Sequence, residues 1–108
     1  MLAHRQRLFF IALALCGVIS GCSWVKLSDQ AQEVRIVKST DVSHCQKLGN
    51  TSVKTLNKIG IIKRDSYAIQ GELNDLARNE AAKLGGNRLV AINQAKLGTQ
   101  DFSVYRCP

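Results

Sequence analysis

Between Asp65 and Gly86 the chain carries a single apolar stripe at helical spacing, flanked on both sides by strand-like segments. Ile69, Leu73, Leu76, Ala77 and Leu84 stand at offsets of 0, 4, 7, 8 and 15, which the helical period gathers on one side. Arg78, Glu80 and Lys83 mostly fall outside it. Asp65 or Ser66 can cap the first turn, because each carries a side-chain oxygen able to accept from an unpaired amide. Gly85-Gly86 ends the run, since glycine takes the left-handed conformation that closes a helix without steric cost. Gly71 lies inside the helix at a cost of up to about 1 kcal/mol relative to alanine, which reads as close packing there or as a bent first turn. Ala77, Ala81 and Ala82 are small enough to let the helix approach a sheet closely.

The flanking segments read as strands. Val34-Arg35-Ile36-Val37 is β-branched and partly alternating, a first short strand, and Ser39-Thr40-Asp41 breaks it. Residues 44–54 place Cys45, Thr51 and Val53 on a second strand, with Gly49 marking a bulge or a close backbone approach. Asn57 to Ile62 is either a short strand or a loop that covers an edge with an apolar cluster. Arg88 to Ile92 is dense in aliphatics and reads as a buried central strand. In the closing segment, alternation puts Phe102, Val104 and Arg106 on one face and Ser103, Tyr105 and Cys107 on the other. The expected class is α+β: a small antiparallel or mixed sheet of about four strands with one helix packed across it.

Ahead of this domain stands a leader. His4, Arg5 and Arg7 form a basic head, followed by an apolar run of twelve residues from Leu8 to Ile19. A membrane-spanning helix needs roughly twenty apolar residues, so the run is too short to span and has the order of a secretory signal peptide instead. Cys16 only fills it. Ile19-Ser20-Gly21-Cys22 then resembles the lipobox of bacterial lipoproteins. That resemblance implies cleavage between Gly21 and Cys22 and a diacylglyceryl group on the Cys22 thiol. It also implies a further fatty chain of the palmitate kind on the new amino terminus. Ser20 and Gly21 leave the backbone open to the processing enzymes. One acyl chain anchors marginally and two anchor stably, so three hold the protein on its membrane. Ser23 after the anchor implies, by analogy with enterobacterial lipoproteins, the outer membrane on its periplasmic side. The chain divides into a signal peptide at 1–21, a short anchor-proximal segment at 22–33 and a single α+β domain at 34–108. Trp24 lies close enough to the anchor to rest among lipid head groups, or to pack on the domain.

Export changes the meaning of the remaining cysteines and of the charge. The 87 residues after the leader form one small domain, and a domain of that size benefits from a covalent staple. Cys45 and Cys107 are the even pair left for a disulfide. Closing that loop stabilises a fold by roughly 4 kcal/mol in the chain-entropy description, and asks the second and last strands to lie close. Free thiols or metal ligands are the competing reading, with His44 the one candidate third ligand, but the spacing is unlike a zinc site. Fifteen Lys and Arg face eight Asp and Glu, and removing Arg5 and Arg7 leaves thirteen against eight. Export puts nucleic acid out of reach, and no aromatics are interleaved with the basic residues for base stacking. The excess positive charge suits a soluble face, or weak attraction to anionic head groups or an acidic partner.

Cys45-x-x-Leu48-Gly49, Ala77-Arg78-Asn79-Glu80-Ala81-Ala82, Gly85-Gly86-Asn87 and Val104-Tyr105-Arg106-Cys107, in that order, resemble the envelope lipoproteins of domain of unknown function family 4156. The resemblance spans nearly all of the chain after Cys22 and implies no biochemical activity. A looser similarity, in leader, disulfide and the passage from helix through small residues to an aliphatic strand, is to outer-membrane stress sensors of the RcsF kind. Those have four cysteines besides the anchor and a long proline-rich tether, which this chain lacks.

For an enzyme the residues are sparse. His44 is the one histidine after the leader, and its neighbour Cys45 would point to the opposite face of a strand. Glu72 and Asp75, three apart on the helix, read as a solvated pair. No phosphate loop, H-E-x-x-H or cofactor fingerprint is present, so no catalytic residue, metal or cofactor is expected. The expectation is a lipid-anchored envelope protein with a binding or structural role, meeting the membrane through Cys22 and an envelope protein through a sheet edge. The alternative is an envelope stress or redox/metal sensor using Cys45, Cys107 and His44.

Overall fold

In the computed structural model, which describes residues 25–108, Asp65 caps a helix α1 at Ser66–Lys83. The signal peptide, the Gly21 and Cys22 cleavage and lipidation site, and Trp24 lie outside the described residues. The Asp65 carboxylate accepts from the Ala68 amide at 3.2 Å, satisfying one of the unpaired donors of the first turn. At the other end Gly85 has φ +80°. Its amide donates to the Ala82 carbonyl at 3.0 Å and the Gly86 amide to Ala81 at 2.8 Å, the paired bonds of a Schellman closure.

Ile69, Leu73, Ala77 and Ala81 are the buried face of α1, with Leu76 partly buried beside them. Leu84 departs from the predicted stripe: it is the C-cap and half exposed, because the helix has ended there and the closing turn no longer follows its period. Gly71 also departs from the close-packing expectation. It is exposed, and a Cβ added there would meet nothing within 4 Å.

The helix packs against a four-stranded mixed sheet. In chain order the strands are β1 (Arg35–Ile36), β2 (Gln46–Lys54), β3 (Lys58–Ile59), β4 (Ile62–Lys63), β5 (Arg88–Ala91) and β6 (Thr99–Arg106). The sheet order is β1-β5-β6-β2, while β3 and β4 form a separate hairpin. β1 runs parallel to β5, and β6 is antiparallel to both β5 and β2. Val34, Val53, Leu89, Phe102 and Val104 meet the helix residues in one core.

β5 lies inside the sheet as predicted, with Leu89 enclosed on the helix side, Arg88 and Val90 half-buried on the other, and Ala91 and the following Ile92 exposed where the strand ends. An aliphatic run had suggested cover on both faces, and the single helix covers one. On β2 the register shifts between Lys47 and Gly49, the irregularity that the glycine implied. Val34 and Val37 flank β1 rather than extending it. Val34 is buried, and the Val37 amide donates to the Leu89 carbonyl at 2.8 Å.

Cys45 and Cys107 are joined by a disulfide with their α-carbons 4.4 Å apart. The bridge sits just outside the last paired residues of β2 and β6, Gln46 and Arg106. The segment before β1 docks on α1. Asn79 accepts from the Ser28 amide and donates to the Lys26 carbonyl, both at 2.9 Å. Arg78 donates to the carbonyls of Val34 and Gln32 at 2.9 and 3.0 Å, and Ala31, in the 3-10 turn Gln30–Glu33, is fully buried. Among the described residues no helix is long and apolar enough to cross a membrane.

Candidate interaction surface

Strand register decides what the sheet shows on its other face. Residues directly opposite one another share a face, and Phe102 and Val104 of β6 point into the core. Asp101, Ser103 and Tyr105 therefore point away from α1. Arg35 pairs with Arg88, Arg88 with Tyr105, and Tyr105 with Lys47. One row across all four strands thus carries three cations and a tyrosine. Arg88 donates to the carbonyl of Asn87 at 2.7 Å, and none of the three cations meets a carboxylate among the described residues.

Beyond this row the face is neutral and then acidic. Val90, Ser103 and Asn50 form the next row, with the Ser103 hydroxyl donating to Asn50 Oδ1 at 3.2 Å. Asp101 follows opposite Ser52, whose hydroxyl donates to it at 2.6 Å, and Asn93 donates at 2.8 Å. These bonds, that from Ser52 foremost, hold the Asp101 carboxyl below its usual range. Arg35, Lys47, Asn50 and Ser52 are exposed. The face is a graded polar surface, cationic at the disulfide end and anionic at the other, suited to recognising a partner by charge.

The other sites singled out in the sequence come apart. His44 is exposed in a turn beside Cys45, whose sulfur is committed to the bridge. No group of three or more His, Cys, Asp or Glu that could hold a metal occurs among the described residues. Glu72 and Asp75 do not act as a pair. Arg64 donates to both Glu72 oxygens, through Nη1 at 2.9 Å and through Nη2, and the Thr55 hydroxyl donates at 2.6 Å. The hydrogen bonds from Arg64 chiefly, and that from Thr55, lower the Glu72 pKa against an opposing push from burial. Asp75 faces Arg78 at 3.7 Å. A depression of about 420 Å³ lies between the 3-10 turn and the helix C-terminus, with Glu33, Gly86 and Arg106 on its walls.

Residues 25–107 match the family described as domain of unknown function DUF4156. The chain belongs to this family. The uncharacterized protein YjeI of Escherichia coli K12 is 32% identical over 103 residues, covering 84% of this chain and 87% of the relative. The same figures hold for YjeI of Shigella flexneri. No solved structure matches the chain. Membership of this family of unknown function, read from the four short motifs, thus agrees with the match over residues 25–107. The cationic row escaped that reading, since its members are scattered between positions 35 and 105 and only strand pairing brings them together.

Proposed function

We propose that the chain is an envelope lipoprotein, held at the periplasmic side of the outer membrane through acylated Cys22, whose domain binds a partner rather than catalysing a reaction. The leader ending in Ile19-Ser20-Gly21-Cys22 supports the anchor. The Cys45–Cys107 disulfide supports an oxidising compartment. The observation that carries a binding role is the sheet face turned away from the helix, whose row of Arg35, Arg88 and Lys47 around Tyr105 meets no carboxylate among the described residues. Cations without carboxylate partners on a rigid sheet are pre-organised for an acidic surface, and an envelope protein presenting carboxylates is the fitting partner.

Two measurements test the proposal. Mass spectrometry of protein extracted from membranes is expected to find an acylated Cys22 as the first residue and a mass two hydrogens below the dithiol form. Photocrosslinkers at Lys47 and Arg35 in whole cells are expected to trap one envelope protein, with capture lost in Arg88→Glu. An unprocessed chain without acyl groups overturns the anchor. Crosslinking to no envelope protein overturns the binding face. The sensor reading through Cys45, Cys107 and His44, and the likeness to RcsF-type sensors, predicts instead a bridge opened by mild reductant or a metal retained at His44.

A further inference from the structure

The end of the molecule opposite the disulfide gathers large apolar side chains that the core does not use. At the apex of the β3–β4 hairpin Ile61 is 98% exposed, and Ile62 and Ile59 are 69% and 54% exposed. Tyr67, in the first turn of α1, is 88% exposed. Leu97 is 70% exposed and holds a left-handed φ of +51° in the turn between β5 and β6, a conformation that disfavours leucine and favours asparagine or glycine. Gly98 in the same turn lies so close to the hairpin's root that a Cβ there would be 2.4 Å from the Thr55 carbonyl oxygen. Arg64 braces the hairpin, donating from its backbone to the Asn57 carbonyl at 3.1 Å and from Nη1 to the Leu56 carbonyl at 2.9 Å.

The hairpin is two-faced. Ile59 pairs with Ile62 on one side and Lys58 with Lys63 on the other. Like charges directly opposite across two strands repel, and an anionic surface that meets this pair relieves the repulsion. Lys96 precedes Leu97 in the adjoining turn and is also exposed. Of the acidic groups nearby, Asp65 is the helix cap and Glu72 is held by Arg64. A second copy of the same tip would set lysine against lysine. Exposed isoleucines at an apex flanked by lysines match a bilayer interface, where apolar side chains meet acyl chains and cations meet anionic head groups.

We infer that the β3–β4 hairpin, with Tyr67 and Leu97 beside it, is a lipid-insertion tip that places Ile59, Ile61 and Ile62 among the acyl chains of an anionic bilayer while Lys58, Lys63 and Lys96 meet its head groups. Apolar burial and attraction to anionic lipid act together in such contacts. The inference takes from the envelope reading only the access to lipid, not the anchor at Cys22.

The test uses the full chain purified from membranes, with Trp24→Phe and Ile61→Trp, so that the one tryptophan reports from the apex. It is reconstituted in vesicles of phosphatidylethanolamine and phosphatidylglycerol at three to one, or of phosphatidylcholine alone, with and without brominated acyl chains. The expected result is a blue-shifted emission quenched by brominated lipid in the anionic vesicles and weakly in the zwitterionic ones. Lys58→Gln with Lys63→Gln should lower the ratio of inserted to free tip about thirtyfold, two lysines' worth of surface attraction. Water-exposed emission from protein that sits acylated on anionic vesicles overturns the tip and leaves the anchor standing. Missing acylation overturns the anchor, while quenching on added anionic vesicles still supports the tip. A blue shift equal in both lipids that follows a crosslinked dimer assigns the tip to a second copy and overturns the inference.

Discussion

Single residues in this domain separate by what surrounds their α-carbon, and glycine shows it most sharply. A Cβ at Gly86 would stand 2.5 Å from Val104 Cγ1, and near the carbonyls of Tyr105 and Ala81 as well. Gly86→Ala forces either the helix end or β6 to move, and is expected to lower unfolding free energy by about 1–3 kcal/mol, as overpacking does. Gly71 is the opposite case, exposed inside α1 with open space around it. Gly71→Ala is expected to raise stability by about 0.5–1 kcal/mol through helix propensity alone. Urea denaturation of the two variants should move the midpoint in opposite directions. Leu97→Asn should also stabilise, by about 1 kcal/mol, because asparagine tolerates the left-handed backbone that leucine occupies there.

At the scale of elements, the junction between the β3–β4 hairpin and α1 hangs on Glu72, which receives Arg64 from the hairpin's exit and Thr55 from its entry. Those hydrogen bonds, Arg64's first, lower the Glu72 pKa in the folded state. The stability they contribute is therefore complete above the ordinary carboxylate range and is lost as pH falls through the lowered folded value. Glu72→Gln should flatten that part of the pH–stability curve and speed hydrogen exchange at the Lys58–Lys63 amides, while Leu89 and Val104 amides keep their protection. Unchanged exchange in the hairpin would show that the junction does not depend on this group. The contrast with the ends of α1 explains what the sequence could reveal. Asp65 and Gly85 act within a few residues of themselves, so both ends of the helix were legible. Asn57 to Ile62 is too short to show a period, so a short strand and a covering loop read alike there, and the structure makes it part of a two-stranded hairpin. The open face depends on register between strands far apart in sequence, so Arg35, Lys47, Arg88 and Tyr105 read separately as scattered charge and one ring. Gly49 fell between these cases: a glycine within a strand announces an irregularity, but not the direction in which the register shifts.

Across the whole molecule, the Cys45–Cys107 bridge closes a chain separation of 62 residues that includes the hairpin, α1, β5 and β6. It is not the only tie at that end. Asn87 accepts from the Cys107 amide at 2.8 Å and donates to the Cys107 carbonyl at 2.9 Å, which pins the last residues to the start of β5 from the other side. The eight paired positions between β2 and β6 continue the hold along the sheet. Removing the bridge should therefore destabilise without changing topology, because most of its effect is on the unfolded chain, whose ends become free to separate. The Cys45→Ala, Cys107→Ala double variant is expected to lose about 2–5 kcal/mol and to keep the far-ultraviolet circular dichroism of the parent. Adding Asn87→Ala to it should cost further, since two backbone groups of residue 107 then lose their partner, and fraying should appear first in hydrogen exchange at Tyr105 and Arg106. If the double variant already lacks native circular dichroism at low temperature, the sheet and its core do not hold this topology alone, and the covalent link determines the fold rather than merely stabilising it.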